Sequence, residues 1–306
     1  MANSTMLALV QQATTEMGLT VPTALASSTS VDVVQQLGLL NAAGYELQRE
    51  RDWQQITKEY RFVTVYYTYT GTTTNGSLTV SSMSSTTGLT STPTYFSVTG
   101  SGIAQDTYLT AAGGGTVTLT LPATASGTAV SLTFSQTLYV LPSDYDRLVD
   151  KTDWDKSKHW EMMGPETGQQ WQWLKSGFIS TGPRIRFRLL GGFFQIWPPG
   201  GIADYLGLEY VSKNWVLATS DTITPSKTSF TVDTDTCIFP DRLMVVALKH
   251  KYFQVKGFGD VYFAEYNRQL DIAKANDGGS PTLSMAPRRT EMLITQQNVP
   301  DSGFGS

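Results

Sequence analysis

The chain has 306 residues, a net charge of −4, 16% charged residues and 11% aromatic residues. The acidic balance excludes a protein that wraps nucleic acid through a broad basic surface, and the single cysteine, Cys237, excludes an internal disulfide framework and a cysteine-based zinc site. No apolar run is long enough to span a membrane and the N-terminus lacks a signal-peptide pattern, so synthesis and assembly in the cytoplasm are expected. Low charge with seven Trp and fourteen Tyr fits a surface largely covered by partners. It also fits a β-rich protein with many Ser and Thr. The length suits one or two domains.

Residues 4–17 are expected to form a short helix, with Leu7, Val10, Ala13 and Met17 at three- and four-residue spacing. Gly18 ends it and Pro22 keeps it from resuming. Ser30 is placed as N-cap of a long helix reaching about Asp52, with Val34, Leu37, Asn41, Gly44 and Leu47 on one face. Gly38 and Gly44 each cost roughly 1 kcal/mol relative to Ala, a cost that close approach of another helix would offset. A strand is expected over Tyr60–Tyr69, which is rich in β-branched and aromatic residues.

Between Val63 and Thr137 the only charged residue is Asp106. Short alternating runs at 77–80, 95–98, 116–121 and 130–134 are separated by Gly and Asn turns, and Gly113–Gly115 reads as one such turn. Low complexity alone would also suit a disordered linker. Alternation and aromatics favour an antiparallel all-β module. Its flanks, Tyr60–Tyr69 and Thr137–Val140, are expected to pair as two arms of a hairpin carrying the module at its tip, because lengthening a loop costs little.

From Leu138 to Ser176 four tryptophans, Trp154, Trp160, Trp171 and Trp173, stand among aspartates, lysines and amides. These are large amphipathic anchors, suited to a strand end followed by a packed, irregular surface. Asp144, Asp146, Asp150, Asp153 and Asp155 are interleaved with Arg147, Lys151 and Lys156. Ordinary ion pairing suits them better than a calcium site or a glycosidase carboxylate pair. Downstream, 183–189, 193–197 and 206–211 read as a β-meander, with Arg184, Arg186 and Arg188 on one face. Like charges on one strand face repel, so these arginines should meet water, carboxylates or an anionic partner. Thr228–Val232 reads as a further strand.

Pro240 suits the first turn of a helix made amphipathic by Leu243, Val246, Leu248, Tyr252 and Val255. Asp260 can cap a last helix, with Phe263, Tyr266, Leu270 and Ala273 on one face. Residues 281–306 read as an extended arm. His159 and His250 lie far apart in sequence, and His250 is expected to be exposed; neither has a metal-ligand companion at suitable spacing. There is no P-loop, nucleophile elbow or dinucleotide fingerprint. Neither catalysis nor a cofactor nor a metal is expected. The fold class is α+β: a discontinuous helical bundle from the N- and C-terminal helices, and a projecting antiparallel β region carrying an all-β, barrel- or sandwich-like insertion. The division is 1–62 plus 137–280 as core, 63–136 as inserted module and 281–306 as arm.

Leu141-Pro142-Ser143-Asp144-Tyr145-Asp146-Arg147, then Trp154-Asp155-Lys156-Ser157, Trp160, Gly164-Pro165 and Gln170 to Gly177, resemble the central signature of head-to-tail adaptor (connector) proteins of short-tailed, podovirus-like bacteriophages. The order Arg186-Phe187-Arg188, Gly-Gly turn, Ile196 to Pro199, Leu208 to Ser212 and Trp215 is similar too. The resemblance covers roughly 1–62 and 137–280, and the module at 70–136 departs from the short members. It implies a twelve-subunit ring under the portal protein, helices toward the portal and β region toward the tail nozzle or tail tube protein. Genomic DNA would pass through the lumen without sequence-specific binding, and no membrane is involved. The expected location is the virion neck. Trp154, Trp160, Trp171, Trp173, Arg184, Arg186 and Arg188 are then expected to serve structure or inter-subunit contact, and Arg288, Arg289, Met292 and Ile294 to form a portal-binding arm. A glycan-binding tail or adhesin module is the alternative. A virion-associated peptidoglycan hydrolase ranks behind it, because no convergent acid/base pair is found.

Overall fold

The computed structural model describes residues 3–89, 96–176, 184–201, 203–259 and 261–278. Within them the protein is mixed α/β, with five α-helices and several antiparallel sheets. The first helix, α1 (Met6–Met17), starts where the Thr5 hydroxyl accepts the Ala8 N–H and stops where Gly18 turns left-handed at φ +69°. Ser30 precedes α2 (Val31–Glu50), as expected. The inner face of α2 is rotated from the expected one: Gln36, Leu40, Ala43, Gly44, Leu47 and Gln48 are buried, while Val34 is exposed. The Trp215 ring lies against Gly44, which belongs to both the expected and the observed face. A Cβ there would fall 2.1 Å from the indole, so a tryptophan, not another helix, makes the close approach. A single 3-10 turn leads into β1 (Thr57–Val63).

The expected strand over Tyr60–Tyr69 breaks at Thr64–Val65, and the chain enters a different pair of sheets. These contain β2 (Tyr66–Thr73), β3 (Thr79–Val80), β4 (Phe96–Gly100), β5 (Leu109–Gly113), β6 (Thr116–Leu119) and β7 (Gly127–Gln136). The orders are β2-β7-β4 and β3-β6-β5, all antiparallel. Phe96, Val98, Leu132 and Phe134 from one sheet share a core with Val80, Leu109, Val117 and Leu119 from the other. The described residues close no barrel. Gly114 and Gly115, both at positive φ, turn β5 into β6. Tyr95, the expected start of one strand, lies outside the described residues.

Then come β8 (Leu138–Val140), β9 (Tyr145–Leu148), β10 (Trp154–Asp155), β11 (Trp160–Glu161), α3 (Gly168–Lys175), β12 (Arg186–Leu190), β13 (Phe193–Trp197) and β14 (Tyr205–Ser212). The expected hairpin between the flanks of the uncharged segment is not formed. β1 pairs with β14, and β8 pairs with β13. The two crossings still meet at a neck, where the Gln136 N–H donates to the Val65 carbonyl at 2.9 Å and Phe62 packs on Tyr139. The expected meander is also divided. β12 and β13 form a hairpin over Gly191–Gly192, but β14 joins the sheet β1-β14-β10-β11, with β9 also on β14. Pro198 and Pro199 supply no ladder donor and end the hairpin. Phe187, Phe194 and Ile196 from one sheet and Leu206, Leu208 and Tyr210 from the other bury one another.

The last elements are β15 (Val216–Leu217), β16 (Thr236–Cys237), α4 (Asp241–Val255) and α5 (Phe263–Asp277). Thr228–Val232 is not a strand. It winds around the buried Asp235, whose carboxylate accepts the Thr231 and Val232 N–H groups at 2.9 Å and the Lys227 ammonium at 2.8 Å. Pro240 occupies the N-cap of α4. Instead of showing one apolar face, α4 is buried at every position from Leu243 to Lys249, because α1, α2 and α5 all pack on it. Val255 is exposed. His250 is half-buried and stacks on Tyr266 at 5.4 Å, contrary to the exposed position expected. Asp260, the expected cap of α5, lies outside the described residues.

Residues from both ends of the sequence, including Met6, Leu40, Leu243 and Leu270, share one core with Trp215 and Phe239. Glu16 of α1 pairs with Arg242 at 2.6 Å and Lys249 at 2.8 Å on α4. Cys237 is fully buried there as a structural thiol, and burial pushes it up to about 12. No helix of the described residues is long and apolar enough to cross a membrane.

Candidate functional site

The segment that carries four tryptophans is a set of stitches between elements. Pro142 to Asp144 turns the chain from β8 into β9. Asp144 accepts the Lys58 ammonium of β1 at 2.6 Å, and the Tyr210 and Ser212 hydroxyls of β14 at 2.9 and 2.8 Å. Burial works to raise this carboxyl, but the hydrogen bonds from Lys58, Ser212 and Tyr210 outweigh it and hold it below its ordinary value. Arg147 of β9 reaches the end of α2, donating to the Arg51 carbonyl at 2.9 Å and pairing with Asp52 at 2.8 Å. Orphan carbonyls at a helix C-terminus favour such a cation. Asp146 pairs with Arg147 at 2.9 Å. Asp155 accepts the Ser157 and Lys158 N–H groups and fixes the turn after β10.

Asp153 differs from its neighbours. It is buried, and burial pushes its carboxyl up to about 7, with the charges of Glu161 and Asp150 acting the same way. Among the described residues no group of three or more His, Cys, Asp or Glu side chains has metal-holding geometry.

The four tryptophans separate by burial. Trp171 is 1% exposed, whereas Trp154, Trp160 and Trp173 are 43%, 36% and 56% exposed. Trp154 stands on β10 opposite Gly207 of β14 and Glu161 of β11. Lys156 fills the space above Gly207 and reaches Glu59 of β1, which Arg61 also engages. Trp171 and Trp173 both lie on α3, a helix the sequence reading did not place. A capping box builds it: the Thr167 hydroxyl accepts the Gln170 N–H, and the Gln170 side chain accepts the Thr167 N–H. Trp171 and Leu174 then point inward at i and i+3, and Trp173 points out.

The three arginines do not act together. Arg186 pairs with Glu166 at 2.7 Å. Arg188 donates to Gln195 at 2.7 Å and lies 4.8 Å above the Trp171 ring. Of the three, only Arg184 is exposed. Carboxylate, amide and aromatic partners within the chain thus absorb the repulsion of Arg186 and Arg188. Arg288, Arg289, Met292 and Ile294 lie outside the described residues.

A further group joins α3 to the uncharged segment. Lys175, at the end of α3, lies 2.8 Å from Asp106, 4.6 Å from the ring centre of Tyr108 and 5.9 Å from that of Trp197. The signal for it was in the sequence, in the isolation of Asp106 as one charge among dozens of neutral residues.

The arrangement ties strands and helices together and leaves Trp154, Trp160, Trp173 and Arg184 exposed. A protein-family model described as SU10 adaptor protein matches residues 104–290, well over half of the chain. The match begins within the uncharged segment, which the resemblance seen in the sequence left out. No curated protein matches.

Proposed function

This chain belongs to the SU10 adaptor protein family, a phage structural adaptor of the virion, and on that premise we propose that it forms the ring joining the portal to the tail. The family match carries this reading. In it the protein is a non-enzymatic component of a podovirus-like neck. Twelve copies continue the DNA channel from the portal protein to the tail nozzle or tail tube protein, and the DNA passes without sequence-specific contact. A closed ring requires each subunit to present two different complementary faces. The helices from 1–62 and 137–280 are the bundle of its core, the segment 63–136 is an insertion, and 281–306 is a portal-binding arm using Arg288, Arg289, Met292 and Ile294. The exposed Trp154, Trp160 and Trp173, with Arg184, are proposed as inter-subunit anchors; large aromatics and Arg dominate interface energetics. Trp171, Arg186 and Arg188 act inside the subunit.

The test is electron microscopy of the purified protein mixed with its portal. A ring of matching symmetry on the portal is expected. Monomers that ignore the portal would overturn the proposal, and binding to host polysaccharide by those monomers would favour a tail or adhesin module.

A further inference from the structure

We infer that the sheets of the uncharged segment are clamped in one orientation on the rest of the subunit by a clasp between Asp106 and Lys175, seated on Tyr108 and Trp197. The clasp is a second attachment, separate from the neck. At the neck the chain crosses at Val65 and Gln136, joined by one 2.9 Å backbone hydrogen bond and by the Tyr139 hydroxyl, which accepts the Val65 N–H at 3.2 Å and donates to the Gln136 carbonyl at 3.0 Å. Two bodies joined at a narrow neck move relative to each other by default unless the interface between them is extensive and apolar, and the seat of Lys175 over the Tyr108 and Trp197 rings extends that interface beyond the neck. Lys175 makes this contact from α3, with its side chain only 12% exposed and its ammonium 2.8 Å from Asp106. The Tyr108 side of the contact is buried at 8% exposure.

The choice of residue at position 106 supports the assignment. Asp106 adopts a left-handed backbone, φ +59°, which Asn accommodates as readily as Asp. Backbone geometry therefore explains the residue shape but not the charge. In a stretch that otherwise carries none, the carboxylate is accounted for by Lys175. Removing it leaves an ammonium largely shielded from water among aromatic rings, and a half-broken, partly buried pair is disfavoured. The clasp belongs to the single subunit and stands whether or not the subunits form a ring.

Spin labels placed by Asn75→Cys and Ala42→Cys, diluted into unlabelled protein, read this orientation as a distance distribution. Both sites are exposed, and the buried Cys237 resists labelling. The expected result is one narrow peak for the parent chain and its loss, as a broad distribution, with Asp106→Asn or Lys175→Met. The swap Asp106→Lys with Lys175→Asp should restore a narrow peak. A narrow peak retained by both single variants overturns the inference. So does loss of fold in both, by circular dichroism, because the contact would then be a folding requirement and not an orientation clamp.

Discussion

Asp144 draws together three stretches of chain that are distant in sequence, through Lys58, Tyr210 and Ser212. Asp144→Asn keeps the shape but removes the charge that those donors face, so a loss of about 2 kcal/mol in urea unfolding is expected. Its carboxyl is held low in the folded state, so this stabilisation is present above the ordinary value of 3.8 and is lost as pH falls through the folded value. Asp153 should behave in the opposite sense. Its folded carboxyl titrates near 7 while the unfolded one titrates near 3.8. Between those values the folded state holds a proton that the unfolded state has released, so stability falls as pH rises through the window and levels off above 7. Asp153→Asn should therefore raise the melting temperature at pH 8 and leave it nearly unchanged at pH 3, measured by calorimetry against the parent chain. Equal shifts at both pH values would contradict this. Sequence did not separate the two residues: five aspartates in one acidic-basic run look alike. What distinguishes them is a Lys and two hydroxyls brought from elsewhere, against burial without a cation.

At the scale of elements the short helix α3 is the instructive case. Its Thr-x-x-Gln capping box was present in the sequence, but the tryptophans around it were read as an irregular surface. The helix explains why they divide. Trp171→Ala removes a fully buried indole and the ring under Arg188, at an expected cost of roughly 3–5 kcal/mol. Trp173→Ala removes an exposed ring and should change the stability of the isolated subunit by less than about 0.5 kcal/mol. Denaturant unfolding of the two variants checks the contrast. If Trp173 is an inter-subunit anchor, its variant should still fail in assembly. Elements marked by local chemistry were legible: α1 ends at Gly18, α2 begins after Ser30, and Gly-Gly turns divide β5 from β6 and β12 from β13. Elements set by distant contacts were not. The inner face of α2 is set by what packs on it from later in the chain, Trp215 against Gly44 included, and α4 is buried at every position from Leu243 to Lys249 because three other helices reach it. The loop at 228–232 takes its form from Asp235, where the sequence reads as a strand.

At the scale of the whole molecule the change in composition after Val63 was legible, but the partners of the flanking strands were not. Two strands that adjoin a neutral segment can pair with each other or with anything else in the core, and pairing here was decided by β13 and β14, which come much later in the chain. The consequence is testable by removing residues 66–135 and bridging Val65 to Gln136 with a short Gly/Ser linker. The two ends already share a hydrogen bond, so closing the gap costs little loop entropy. The core beneath the helices and the core between the β12-β13-β8 and β1-β14 sheets share no residue with the core of the removed sheets. Deletion also strips Asp106 and Tyr108 from Lys175 and uncovers part of the α3 end. The shortened chain should therefore fold and unfold in one cooperative transition, at a lower melting temperature than the parent. Adding Lys175→Met to it should recover part of the loss, because that ammonium no longer has a counter-charge to meet. A shortened chain that is unfolded by circular dichroism would show that the removed sheets belong to the same folding unit as the helices, and that the neck and clasp are parts of one continuous interior.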